Sequence, residues 1–305
     1  MRANSDRDVS TWSGSIPAAR KKGHPMSVAS DSTIKTQTRT IDGLSIRYAE
    51  SAGDGDVDAL LLSPWPESVY CFEPMWDQLA EHAHLVAVDL PGFGHSEGRE
   101  DLFNSRGMAG FIAKLADAFE LDQPHAIGPD IGTSALLFAA ADQPGRLRSL
   151  VVGGGGAAVP LQLGVELKQI VDAHDLAAMG DVEPRRVIGA VLNYHERHKL
   201  PDYVREDYLS GYDGDRFAPS LGFVRAYPTE LPILSELLPQ IRTPVEIIQG
   251  AHDPGVLPVN AQYLRDRLPR SRVNLLDAGH FVWADRADDY AALVISWWNG
   301  GYENP

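Results

Sequence analysis

Short apolar runs separated by polar, glycine- or proline-containing breaks recur along most of this chain. Leu44-Ser45-Ile46-Arg47-Tyr48-Ala49 alternates apolar and polar positions, the pattern of a half-buried strand. Asp42-Gly43 just before it is a hairpin signal, pairing it with the β-rich segment 33–40. Ala59–Leu62, Leu85–Val88, Pro124–Ile127, Leu147–Val152, Val245–Gln249 and Val273–Leu276 read as further strands, most of them apolar throughout as in a sheet buried on both faces. Helical spacing fills the intervals. Phe72, Met75, Trp76 and Leu79 share one face of a helix expected over 72–82, and further helices are expected over about 105–119, 133–143, 260–268 and 287–298. An antiparallel opening followed by repeated strand–helix units predicts an α/β fold with a mostly parallel, doubly wound sheet.

The alternation stops between Ala157 and Pro232, where the pattern turns helical and irregular, and resumes at Pro244. This block of about 75 residues would lie over the carboxyl ends of the strands, where open α/β sheets bind ligands, and so reads as a lid. The expected organisation is a core of residues 33–156 and 233–305, an inserted helical cap over 157–232, and a disordered N-terminal extension over 1–32, rich in Ser, Arg, Lys and Gly.

Composition narrows the function classes. The chain has 305 residues, 44% hydrophobic and 23% charged, enough for a sizeable core. A net charge of −15 argues against nucleic acid and against an anionic membrane surface. One cysteine, Cys71, permits neither an intramolecular disulfide nor a cysteine metal cluster, and the ten histidines show no metal-ligand spacing. No stretch approaches the roughly 20 apolar residues of a membrane span, and no signal peptide precedes the core, so a cytoplasmic location is the expectation. Oligomeric state is not legible.

Candidate chemistry centres on Gly128-Pro129-Asp130-Ile131-Gly132, between a strand and a run of small helix-forming residues. Glycines two before and two after a central residue relieve crowding where a sharp turn lifts one side chain above a sheet. An ordinary βα loop with Asp130 as a helix cap fits the same five residues. Two further residues bear on the choice. Asp253 follows the strand Val245–Gln249 and His280 follows the strand Val273–Leu276. Each of the three lies at the carboxyl end of its strand, in the chain order nucleophile, acid, histidine. Singly, Asp253 reads as a turn residue and His280 as a cap; together with Asp130 they read as a triad.

These segments, with Trp65-Pro66-Glu67-Ser68 and Asp89-Leu90-Pro91-Gly92-Phe93-Gly94-His95-Ser96, resemble the α/β-hydrolase superfamily, and within it the branch of epoxide hydrolases and haloalkane dehalogenases. The resemblance spans about residues 35 to 300. It implies an α/β-hydrolase fold with a helical cap, no cofactor and no metal, Asp130 as nucleophile, His280 as base and Asp253 as its partner. It also implies an oxyanion hole from the backbone N–H groups of Trp65 and Ile131. Aspartate suits attack at saturated carbon, because attack at an acyl carbon would give only an anhydride. The donors around Asp130 are expected to favour its ionised form. Relatives that bind halide often carry a tryptophan after the nucleophile; Ile131 offers no side-chain donor, although the Trp65 indole could. Relatives that open epoxides use cap tyrosines, and of Tyr194, Tyr203, Tyr208, Tyr212 and Tyr227 the best placed is Tyr227, then Tyr194. The usual His-Gly before the loop's last pair is replaced by Ser63-Pro64, while Trp65-Pro66 keeps a position compatible with a cis peptide. The expected activity is hydrolysis of a small-molecule epoxide to a vicinal diol. Haloalkane dehalogenation and ligand binding without catalysis are the alternatives.

Overall fold

The computed structural model describes residues 32–52, 57–173 and 183–305. Nearly all of the extension expected over 1–32 lies outside the described residues. Eight strands form one sheet, in the spatial order β1-β2-β4-β3-β5-β6-β7-β8. β1 (Thr36–Ile41) and β2 (Leu44–Glu50) make the antiparallel hairpin. Its turn carries positive φ at both Asp42 (52°) and Gly43 (82°), as a tight two-residue hairpin requires. β3 (Asp58–Leu62), β4 (His84–Val88), β5 (His125–Pro129), β6 (Ser149–Gly153), β7 (Val245–Gly250) and β8 (Ser271–Leu276) are mutually parallel.

The central strands are apolar throughout because both faces of the sheet are covered. Leu60, Leu62, Val86 and Val88 point into one apolar layer; Ala59, Leu61, Leu85 and Ala87 point into the other. The first layer packs beneath α2 (Ser105–Ala118) and α3 (Ile131–Asp142), the second beneath α1 (Trp76–Ala80). The helix expected from Phe72 begins instead as a 3-10 turn over Val69–Met75 and becomes α-helical only at Trp76. Pro74 inside that turn has no N–H to give, and Ser68 caps its start by accepting from Tyr70 N.

Between β6 and β7 the chain leaves the sheet for α4 (Val165–Asp172), α5 (Pro184–Leu192), α6 (Asp202–Ser210), α7 (Phe217–Ser220), α8 (Gly222–Arg225) and α9 (Tyr227–Leu237). After β7 come α10 (Val259–Arg265), α11 (Val282–Asp285) and α12 (Ala287–Ser296).

Two polar clamps fasten the inserted helices to the sheet layers. Asp207 of α6 receives both terminal nitrogens of Arg47 on β2, at 2.6 and 2.9 Å, and the Ser68 hydroxyl at 2.6 Å. Arg47 Nε meanwhile reaches Asp89 at 2.6 Å. Burial pushes the Asp207 carboxyl up, but Arg47 and His95 hold it well below its ordinary value. At the other side, Asp285 of α11 accepts the backbone N–H groups of Glu196, Arg197 and His198 at 2.9, 2.8 and 2.7 Å.

Breaking a largely buried pair from one side leaves an uncompensated charge. Asp207→Ala is therefore expected to cost about 3 kcal/mol in urea unfolding. Because the folded-state pKa of Asp207 is depressed, its contribution is full above about pH 4 and fades as the pH falls through the folded value. A variant as stable as the parent at neutral pH would show that the clamp is idle.

Candidate active site

Asp130 joins β5 to α3 with φ 52° and ψ −119°, outside the regions open to most L-residues. Its N–H donates to Gly153 O at 2.8 Å, extending the β5–β6 ladder by one bond past Pro129. Thr133 Oγ1 lies within hydrogen-bond distance of Gly128 O (3.2 Å), Gly153 O (3.0 Å) and Gly153 N (3.0 Å), knitting both strand ends to the first turn of α3. Two glycines make the turn possible. A Cβ on Gly128 would lie 2.9 Å from Gly132 O and 2.6 Å from Leu136, and one on Gly155 would lie 2.3 Å from Asp130 O. Gly132 differs from the expectation, because a Cβ there meets only Leu62 at an ordinary 3.7 Å. The crowding is relieved before the turn and across from it, at Gly155, rather than after it.

Asp130 does not cap α3 with its side chain. The carboxylate instead faces the loop after β3, where Oδ2 accepts Trp65 N–H at 2.8 Å, and the neighbouring Ile131 N–H helps to lower its pKa. The Trp65–Pro66 peptide is cis. His280 stands in the loop after β8, its Nδ1 2.8 Å from Asp253 Oδ2. Nδ1 therefore carries the proton toward the carboxylate, leaving Nε2 for the Asp130 side.

The electrostatics balance burial against neighbours. Burial pushes the Asp130 carboxyl up to about 6, against the pull of His280 and the two backbone N–H groups. The expectation that the donors alone would favour ionisation thus understates desolvation, although the group is still a carboxylate at neutral pH. For His280, burial alone would lower the pKa, but Asp253 and then Asp130 lift it to about 9. Between these values the site holds a carboxylate against an imidazolium.

A cavity of about 130 Å³ opens above Asp130. Its described wall is chiefly apolar, with Trp65, Ile131, Ile170, Val191, Val224 and Phe281, and its polar members are Asp130, His280, Tyr194 and Glu166. Of the two tyrosines singled out from sequence, Tyr194 lines this cavity and Tyr227 does not. Tyr227 is buried against α3, its hydroxyl facing Ser134 and the Gly156 backbone, where burial and the Asp130 charge raise its pKa. Of the other tyrosines, Tyr208 and Tyr212 are core residues, and Tyr203 hydrogen-bonds Glu73. The Trp65 indole N–H is occupied, donating to Ser220 Oγ at 3.2 Å. Among the described residues no three His, Cys, Asp or Glu side chains converge as metal ligands, and no helix is long and apolar enough to cross a membrane.

Several contributors were not visible from sequence reasoning. Thr133 sits inside an apolar helix start. Ser220 reaches Trp65 only through the tertiary fold. Glu67 and His195 form a buried pair at 3.1 Å, with Trp283 Nε1 donating to Glu67 at 2.7 Å. Gln249 left a signal, as a polar residue closing the apolar run of β7.

Residues 60–184 match a family model described as alpha/beta hydrolase fold. The sheet order, the strained turn after β5 and this match agree. The chain has the α/β-hydrolase fold. The hydrolase fold is shared with proteins of different named activities. The chain is 26% identical over 278 residues, 87% of this chain and 69% of the relative, to the dihydrolipoyllysine-residue acetyltransferase component of the acetoin cleaving system from Cupriavidus necator. It is 34% identical over 102 residues, 33% of this chain and 35% of the relative, to a soluble epoxide hydrolase from Corynebacterium sp.. The solved epoxide hydrolase A from Mycobacterium thermoresistibile superposes with a TM-score of 0.72 over 88% of this chain and 99% of that one, at 19% identity.

One electrostatic consequence is measurable without a substrate. Asp253→Asn removes the chief cause of the raised His280 pKa while the burial stays. The His280 ring, followed by nitrogen NMR, is expected to titrate at least about one unit lower than in the parent. A value held near 9 would contradict the pairing.

Proposed function

We propose that the protein is a hydrolase that opens a small epoxide to a vicinal diol through an ester on Asp130, the inserted helices 157–232 serving as its cap. The observation that carries this reading is a carboxylate, not a hydroxyl, at the strained turn, held against the Trp65 and Ile131 N–H groups beside the His280–Asp253 pair.

In the first step an Asp130 oxygen attacks a ring carbon of the epoxide. The carbon–oxygen bond breaks and the alkoxide takes the phenol proton of Tyr194, a half-exposed residue of the cavity wall. Before the second step the His280 imidazolium passes its Nε2 proton through water to the Tyr194 phenolate; Nε2 then takes a proton from water, and the hydroxide adds to the Asp130 carboxyl carbon. The resulting oxyanion is held by Trp65 N–H and Ile131 N–H, donors worth about 3 kcal/mol each in comparable sites. Collapse expels the diol oxygen, which His280 protonates, and the proton left on the Asp130 carboxyl passes to His280, restoring the resting carboxylate–imidazolium pair. Asp253 keeps the imidazole oriented and stabilises its charged form.

The choice of epoxide over halide rests on donors. A leaving halide needs N–H groups. The residue after Asp130 is isoleucine, and the Trp65 indole is directed to Ser220. A leaving alkoxide needs an acidic proton, which Tyr194 offers. The cavity also sets a size and a charge. An engineered cavity of about 150 Å³ holds benzene, so a phenyl-sized substituent is near the limit of the 130 Å³ here. With Glu166 and Asp130 in the wall and no lysine or arginine among its described residues, neutral substrates are favoured over carboxylates.

Four measurements test this. Purified protein is expected to form diol from styrene oxide and release no halide from 1-bromohexane; halide release without diol would make it a dehalogenase, and neither would make it a binding protein. His280→Gln is expected to accumulate an adduct of substrate mass on Asp130, seen by intact-protein mass spectrometry, and no adduct would remove the nucleophile assignment. Ester formation in a single turnover is expected to fall about tenfold per unit below pH 6, as the Asp130 carboxylate protonates. Tyr194→Phe is expected to slow that same step at least about a hundredfold; an unchanged rate would take Tyr194 out of the site.

A further inference from the structure

Gln249 is almost wholly buried at the end of β7, and its amide makes three separate ties. Its Nε2 donates to Asp253 Oδ2 at 2.9 Å, the same carboxylate oxygen that His280 Nδ1 meets at 2.8 Å. The same nitrogen donates to Val256 O at 3.0 Å. Its Oε1 accepts Gly154 N–H at 2.8 Å. Turning the amide over would set N–H against N–H and oxygen against oxygen, so its orientation is fixed.

Each partner bears on a different part of the site. Asp253 has two oxygens to satisfy in a buried place. Oδ1 is held by the N–H groups of Gly255 and Val256, both at 2.9 Å. Among the described residues, Oδ2 has only Gln249 and His280. Without Gln249, His280 alone would fix that oxygen, and the carboxylate could follow the imidazole rather than direct it. Gly154 lies where the sites of Asp130 and His280 meet: a Cβ there would be 3.7 Å from Asp130 N and 3.8 Å from His280 Cε1. By holding Gly154 N–H, Gln249 also fixes the backbone between them. One side chain thereby ties the acid's rotamer to the floor under the base and the nucleophile.

We propose that Gln249 is a positioning residue for the water-activating half of the reaction, holding Asp253 so that His280 presents Nε2 to water. This rests on the roles given above to Asp130 and His280. It assigns Gln249 no contact with substrate and no proton transfer. The distinguishing consequence is an uneven effect on the two half-reactions. Ester formation uses Asp130 and Tyr194; Gln249 bonds neither, and Asp130 keeps its own backbone anchor on Gly153 O when the tie to Gly154 is lost. Ester hydrolysis needs the aligned imidazole.

The test uses full-length Gln249→Met, which keeps the length and volume of the side chain and removes all three ties. The probe is styrene oxide, in rapid-quench single turnovers with intact-mass detection. Ester hydrolysis is expected to slow at least about thirtyfold while ester formation changes less than about threefold, so the adduct builds up at steady state. Gln249→Glu is the second variant, for use if the first fails to fold. It keeps an acceptor for Gly154 N–H but sets a carboxyl against Asp253, and it is expected to accumulate ester as well, with the pH profile of hydrolysis displaced. Equal slowing of both half-reactions would reduce Gln249 to a structural residue and overturn the proposal, as would hydrolysis at the parent rate. His280→Gln in the same assay separates the two levels. An adduct there with unchanged hydrolysis in the Gln249 variants sinks only this inference. No adduct there sinks the nucleophile reading and this inference with it.

Discussion

The site depends on a single backbone turn that the chain would not adopt alone. Asp130 has a left-handed φ without being glycine, a conformation costing about 1–3 kcal/mol. What holds it is the seam between β5 and β6. The Asp130 N–H completes that ladder, and Thr133 bonds both strand ends. The run Gly153–Gly156 passes so close beneath that a side chain at Gly155 would strike the turn. The strain therefore belongs to the sheet as much as to the elbow, and the carboxylate it lifts is aimed by two strands rather than by a loop.

The electrostatics follow from that placement. A carboxylate pushed out of water is raised to about 6, and an imidazole beside two carboxylates to about 9. The resting pair is thus an ion pair at neutral pH, and the proposed first step consumes one of its charges. Once Asp130 is an ester, one of the causes that kept His280 protonated is gone. The imidazole becomes easier to deprotonate at the moment a base is needed.

Much of the framework was legible because it rests on local signals. Apolar runs of strand length, the Asp42-Gly43 turn and the three carboxyl-end positions of Asp130, Asp253 and His280 each follow from pairing, turn chemistry or chain order. The cavity was less legible, because its wall comes from helices whose packing no periodicity reveals. Tyr227 stood out for its sequence context, yet α9 turns its ring onto α3 and leaves Val224 and Tyr194 in the wall. Trp65 read as a free indole donor until α7 brought Ser220 to it. Gln249 was marked by its polarity at the end of an apolar strand, but its meaning needed Asp253 and Gly154 placed around it.

The two clamps on the inserted helices bear on how molecules enter and leave. Arg47 and Ser68 hold Asp207 at one side of the insertion, and Asp285 holds the backbone of Glu196 to His198 at the other. With both sides fastened by largely buried polar contacts, the insertion cannot lift away as one body without exposing several of them at once. On the proposed function, substrate and product would pass between helices, past the outward members of the described wall, Tyr194 and Glu166. The doorway is then a matter of side-chain rotation in an otherwise bolted roof, and the residue proposed to protonate the product also stands at its exit.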